Sequence, residues 1–263
     1  MKTLMNTVTS GDGTRIAFES RGAGPAVVLV DGAMCSRSFG PTGGLAEALA
    51  DQFTVYRYDR RGRGESGDTQ PYTVAREVED LAAVIAEAGG SACVLGISSG
   101  AGLALEAAAS GVPIAKLALF EPPYTADGGD PEQRRQDAAH MDELLAAGRR
   151  SEAVELFFGW VGMPDEAIAQ MRSSPMWPAL EAVAPTIAYD DRVMGDGTVP
   201  RDRARQISVP TVVIDGSESS DELRRAATAV ANAIPRAQQR TLQGQSHQAD
   251  PATLVPILRE FFA

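Results

Sequence analysis

The sequence predicts an α/β fold: a mostly parallel, twisted sheet with helices on both faces, interrupted late in the chain by an inserted helical block. Three observations predict it. Short continuous apolar runs, "AVVLV" at 26–30, "ACVLG" at 92–96 and "PTVVIDG" at 210–216, read as strands covered on both faces. Segments of helical spacing separate them, the rhythm of parallel strands joined by crossover helices. That rhythm stops between about Pro122 and Gln206, where no strand run occurs, and then resumes.

Taken in order, the N-terminal part reads as two strands around the turn Ser10 to Arg15. The run at 26–30 ends in "DGAMCS", and a helical stretch follows near Gly44 to Asp51. "FTVYRYD" is a strand, and Tyr72 to Ala88 carries helical spacing. The buried run at 92–96 precedes an Ala-rich helix, Ser99 to Ser110, that Gly111 and Pro113 stop. "AKLALFE" is the next strand. The block after it holds "PEQRRQDAAHMDELLAAGRR" and "SEAVELFFGWVG", both tryptophans, and five of the eight methionines. After residue 206 come the strand at 210–216, a helix from Asp221 to Ala233, the strand "AQQRTLQ" and a closing helix from Thr253 to Phe262. The block's flanks feed directly into sheet strands, so residues 122–206 read as a helical lid on a core domain made of 1–121 and 207–263.

At 263 residues the chain suits one domain of this class. Its formal net charge of −11 removes the general attraction to nucleic acid and opposes an anionic membrane surface. The start "MKTLMNTVTSGDG" has one lysine and no apolar run, so no leader is expected. No uncharged apolar stretch approaches the roughly 20 residues that span a bilayer. Cys35 and Cys93 share no CxxC pattern and read as free thiols of a cytoplasmic protein. With two histidines, His140 and His247, and no HExxH, neither a metal centre nor another cofactor is expected.

That scarcity of histidine narrows the chemistry. In "LGISSGAG", residues 95–102, Ser98 lies between Gly96 and Gly100, after a strand and before a helix. Small residues are required there if the serine sits on a sharp, strained strand-to-helix turn, where it faces the positive end of the helix. A serine nucleophile needs a base. His140 falls in the charged segment "AAHMDELL", whereas His247 falls in "LQGQSHQAD", between the last strand and the last helix, on the sheet edge that carries Ser98. His247 is therefore the expected base. The orienting acid stays open among Glu121, which ends "AKLALFE", Asp191 and Asp196 at the exit of the block, and Glu218. Asp221 and Glu222 read as helix-start carboxylates.

The order of serine and histidine, the elbow, and "DRRGRGESG" at 59–67 resemble the α/β-hydrolase superfamily over essentially the whole chain. The same segment formally contains Gly62-x-Gly64-x-x-Gly67, but no helix opens after it and it lies in the second strand unit, so a dinucleotide is not expected. The resemblance implies an α/β-hydrolase fold and an oxyanion hole built from the Gly32 or Ala33 amide and that of Ser99.

Two departures stand out. Asp31-Gly32 replaces the usual His-Gly, so the Asp31 carboxylate must face away, be neutralised, or address a substrate atom. The usual acid position, counted from Gly216, falls on Ser219. The resorcylic-lactone (zearalenone) hydrolases are similar on both counts: Asp-Gly at the oxyanion loop, a Cys-Ser-Ser-Gly-type elbow, here Ile97-Ser98-Ser99-Gly100, and Glu-Leu-Pro or Glu-Pro after the next strand, here Glu121-Pro122. That resemblance implies Glu121 as the acid. It also aligns "SPMWPALEAVAPTI" with their lid segment, which makes Trp177 either a substrate wall or lid core.

The sequence thus leads to a serine hydrolase acting on a small apolar ester or lactone, with no nucleic-acid or membrane partner. Ser98 excludes the epoxide and halide chemistries, which need an aspartate nucleophile. A C–C bond hydrolase and a non-hydrolytic ligand receptor on the same fold remain as alternatives.

Overall fold

The computed structural model describes residues 6–126 and 128–263. Residues 1–5, on which the reading of the N-terminus partly rests, and Asp127 lie outside the described residues. Among the described residues one sheet contains β1 (Asn6–Thr9), β2 (Arg15–Gly22), β3 (Ala26–Val30), β4 (Thr54–Tyr58), β5 (Ala92–Ile97), β6 (Ile114–Phe120), β7 (Thr211–Gly216) and β8 (Ala237–Leu242). Their spatial order is β1-β2-β4-β3-β5-β6-β7-β8. Pairings from β4 onward across the sheet are parallel, while β1 with β2 and β2 with β4 are antiparallel.

The continuous apolar runs have a simple cause: both faces of the sheet are covered. In β3, Val28 and Val30 point into one apolar layer, and Val27 and Leu29 into the other. The first layer is closed by α2 (Val74–Glu87), α3 (Ser99–Ala109) and α10 (Asp221–Ala233) through residues such as Leu81, Leu105 and Val230. The second is closed by α1 (Thr42–Leu49) and α11 (Pro251–Phe262) through Leu45, Leu49, Leu258 and Phe262. Progression across the sheet reverses beside β3, with β4 on one side and β5 on the other. Such a switch point opens a crevice at the carboxyl ends of the strands, where ligands bind in open α/β sheets.

Between β6 and β7 the chain inserts α4 (Pro131–Ala146), α5 (Arg150–Trp160), α6 (Asp165–Arg172), α7 (Trp177–Val183), α8 (Ile187–Met194) and α9 (Arg201–Ala204). Asp130 caps α4, its carboxylate accepting the Glu132 and Gln133 amides, with Pro131 in the first turn. The block has an apolar core of its own, including Met141, Phe158, Trp177, Leu180 and Ile187, and Met34 from the loop after β3 packs into it. That contact seats the block over the switch point. Among the described residues no helix is long and apolar enough to cross a membrane.

Candidate active site

The backbone at Ser98 is held at φ 55° and ψ −126°, where a residue with a side chain is strained. The flanking glycines make that turn sterically possible. A Cβ at Gly96 would lie 2.4 Å from the Gly100 carbonyl oxygen, and one at Gly100 would lie 2.4 Å from the Val30 oxygen and 2.5 Å from the Asp31 oxygen. The Ser98 amide donates to the Phe120 carbonyl at 2.9 Å, tying the end of β5 to the end of β6. Helix α3 opens at Ser99, so its unpaired amides and positive dipole end face the half-buried Ser98.

His247 and Glu121 arrive at the same sheet edge from the ends of β8 and β6. The His247 Nδ1 lies 2.6 Å from Glu121 Oε2, and Glu121 is wholly buried. The other carboxylate oxygen, Oε1, accepts the Gly216 amide at 2.7 Å. Burial opposes the charge on Glu121, but the His247 and Gly216 hydrogen bonds prevail and hold its pKa below the ordinary carboxylate value. An ionised Glu121 accepts, so Nδ1 of the neutral imidazole carries the proton and Nε2 is left as the acceptor. Glu121 itself stands at φ 45°, a second strained non-glycine residue in the site. The Phe120 ring lies nearly parallel to the imidazole, 6.1 Å between centroids and 16° between planes.

The other acid candidates are engaged elsewhere. Asp191 pairs with Arg134 at 2.8 Å. Asp196 accepts from the Thr198 amide and hydroxyl at 2.9 and 2.7 Å, and Glu218 is exposed. Ser219, at the position from which the sequence count expected an acid, carries a hydroxyl near Glu121 that helps lower the carboxyl's pKa. Strands β6 and β7 are hydrogen-bonded neighbours, with the Glu121 amide donating to the Ile214 carbonyl at 3.0 Å. A carboxylate from the end of either strand can therefore meet the same imidazole. His140 lies exposed on α4, 4.0 Å from Glu143.

The loop after β3 lies against Ser98. A Cβ on Gly32 would sit 3.0 Å from Ser98 Cβ and 3.6 Å from Ser98 Oγ. The hydrogen bonds of turns and loops among the described residues include none donated by the Gly32 or Ala33 amide. The Asp31 carboxylate, 2 % exposed, is turned into the core. Its Oδ2 accepts the Thr42 hydroxyl at 2.6 Å, while Oδ1 has no partner. Burial pushes its pKa up to about 6, against the pull of the Thr42 bond and of Arg57, Arg63 and Arg60. Trp177 is buried in the core of the inserted block, where its indole N–H donates to Ser151 Oγ at 2.8 Å. Met34, from the loop after β3, belongs to the same apolar core.

The glycine run at 62–67 folds as a turn closed by the Gly62 amide on the Gly67 carbonyl at 3.0 Å, and the next helix opens only at Val74. Its arginines are buried and paired: Arg60 with Glu77 and Asp190, Arg61 with Asp80 and Asp12, Arg63 with Asp190. Asp190, on α8, is the acid that Arg60 and Arg63 share, and no sequence pattern sets it apart from its neighbour Asp191.

A model of the alpha/beta hydrolase family matches residues 22–256. The structure is similar to that of an alpha/beta hydrolase from Sphaerobacter thermophilus, 52 % identical, with a TM-score of 0.88 over 98 % of this chain and all of the other. Similar folds at lower identity include an esterase from Rhodococcus sp. ECU1013 (22 %, TM-score 0.68, 98 % of each chain). An enol-lactonase from Burkholderia xenovorans is another (21 %, TM-score 0.71, 97 % of this chain and 99 % of that one). An 89-residue segment is 42 % identical to a probable oxidoreductase, EphD, of Mycobacterium tuberculosis, covering 32 % of this chain and 15 % of that protein.

Proposed function

Because the chain belongs to the alpha/beta hydrolase family, we propose that it is a serine hydrolase that opens a carboxylic ester or lactone through an acyl-enzyme on Ser98. The observation that carries this reading is the bond between His247 Nδ1 and the buried Glu121 carboxylate, at the sheet edge that presents Ser98 on its strained turn. In the first half-reaction His247 Nε2 takes the Ser98 proton as Oγ attacks the acyl carbon. Glu121 keeps the imidazole in the productive tautomer and stabilises the imidazolium. The charge on the carbonyl oxygen falls to the amides of Ser99 and of Gly32 or Ala33, beside the positive end of α3. His247 then returns the proton to the leaving alkoxide. Water repeats the sequence to free Ser98, and the chemistry requires no metal.

Residues 122–206 act in this reading as a lid. Their methionines and aromatic side chains favour an apolar acyl group or macrolactone. Trp177 supports the lid side of the pocket, and Asp31 acts on the oxyanion loop rather than on the substrate. The substrate is a small molecule met in the cytoplasm. A panel of chromogenic acyl esters and aromatic macrolactones, with products identified by mass, tests the proposal. Turnover giving the free acid or the ring-opened hydroxy acid supports it. Binding without turnover would return the chain to the receptor reading, and products of C–C cleavage to the other alternative.

A further inference from the structure

The arginine motif at 59–67 plays no part in the chemistry above, yet two of its side chains reach the oxyanion loop. Arg63 donates from Nη1 to the Gly32 carbonyl at 2.6 Å and from Nη2 to Asp190 Oδ2 at 2.6 Å. Arg60 donates from Nη1 to Asp190 Oδ1 at 2.7 Å and reaches the Asp31 carbonyl at 3.3 Å. The hydroxyl of Ser99 also donates to Asp190 Oδ1, at 2.7 Å. One carboxylate thus joins the residue after the nucleophile to both arginines that hold the loop. Asp190 is fully enclosed, and although burial opposes its charge, Arg63, Arg60 and Ser99 keep its pKa below the ordinary value.

The consequence follows from the geometry of the peptide unit. A trans peptide is planar, with its C=O and N–H on opposite sides. The Gly32 carbonyl belongs to the same unit as the Ala33 amide, and the Asp31 carbonyl to the same unit as the Gly32 amide. Holding both carbonyls from the arginine side turns both amides to the other side. Gly32 itself lies against Ser98.

We propose that Asp190, carried on helix α8 of the inserted block, is a positioning residue for the oxyanion site, aiming the Gly32 and Ala33 amides through Arg63 and Arg60 and fixing α3 through Ser99. The proposal rests on the serine-hydrolase reading. It makes seating of the inserted block a condition for a competent site, because the anchoring carboxylate arrives only with α8. Arginine suits the task because its planar fork bonds a carboxylate and a carbonyl at once, which a lysine ammonium does not reproduce.

The test is steady-state kinetics of Asp190→Asn on an ester that the parent hydrolyses, with a melting curve for each variant. The expected result is a kcat lower by roughly ten- to a hundredfold, with KM within about threefold, since donors aimed at a developing charge act on the transition state. Asp80→Asn is the comparison: it removes one of the two carboxylates paired with Arg61 in the same buried motif, and neither Asp80 nor Arg61 bonds a carbonyl of the loop after β3. It should lower the melting temperature and leave kcat near the parent value. Arg63→Lys reads the same contact should Asp190→Asn fail to fold, and it should lose kcat similarly. A folded Asp190→Asn, or in its place Arg63→Lys, with kcat within twofold of the parent would overturn the proposal. So would an equal loss of kcat in Asp80→Asn. Retained turnover in Ser98→Ala would instead remove the serine-hydrolase reading on which the proposal stands.

Discussion

Asp31→Asn should stabilise the protein at neutral pH, and the gain should disappear in acid. In the folded chain the Asp31 pKa rises from 3.8 to about 6, chiefly because burial disfavours the charged form. Unfolded, the group ionises near its ordinary value. Between those two values the folded state keeps a proton that the unfolded state has released, so stability falls as pH rises. Above about pH 6 both states are ionised and the full penalty stands. At about 1.36 kcal/mol per pKa unit, the rise corresponds to a penalty of about 3 kcal/mol. Asparagine imitates the neutral acid and can still accept the Thr42 hydroxyl. Its NH2, however, would occupy the place of Oδ1, which has no partner and lies towards Gly40. An unpaired buried donor costs about 1–3 kcal/mol, so the expected net gain at pH 8 is at most about 2 kcal/mol. For a chain of this size that is a rise of at most about 8 °C in melting temperature. Urea unfolding of both proteins at pH 8 and again towards pH 4 measures it as a shift in midpoint at constant slope. A difference independent of pH, or a destabilised variant at pH 8, would refute the claim that the ionised carboxylate is the destabilising species.

Other outcomes follow from the site. Glu121→Gln keeps the shape but removes the charge that stabilises the imidazolium, so kcat should fall by orders of magnitude with little change in KM. Asp191→Asn, Asp196→Asn and Glu218→Gln should stay near the parent, and a collapse of one of these with a normal Glu121→Gln would move the acid there. His247→Ala should be nearly as inactive as a variant lacking Ser98, whereas His140→Ala should be close to normal; equal losses in the same ester assay would contradict the assignment. Gly100→Ala places a methyl within 2.5 Å of two carbonyl oxygens, so it should lower the melting temperature and the activity together. A stable, active Gly100→Ala would show that the turn tolerates a side chain.

The parts of this architecture that were legible in the sequence are those set by local pattern. Strands β3, β5 and β7 declare themselves because both faces are buried, which leaves no polar alternation to confuse with a surface strand. Ser98 is legible because the strained turn demands glycine on either side, and His247 because the chain has so few histidines. Glu121 was one candidate among several: its selection depends on β6 and β7 lying side by side, a pairing between residues about a hundred positions apart. Asp190 was not legible at all. In "IAYDDRVM" it differs from Asp191 only by helical phase, about 100° of rotation. That rotation turns Asp190 onto two buried arginines and Asp191 towards Arg134. The buried state of Asp31 likewise depends on Thr42 of α1, on Arg57 of β4 and on Arg60 and Arg63 of the loop after it, surroundings that no local motif encodes.

The central claim is that Ser98 forms the covalent acyl intermediate. Intact-protein mass spectrometry after reaction with a fluorophosphonate, followed by peptide mapping, tests it most directly, with residual ester turnover measured on the same sample. The account predicts a single adduct on Ser98, loss of turnover in proportion to its formation, and no adduct in Ser98→Ala. Loss of turnover with the adduct on another residue and Ser98 unmodified would contradict it.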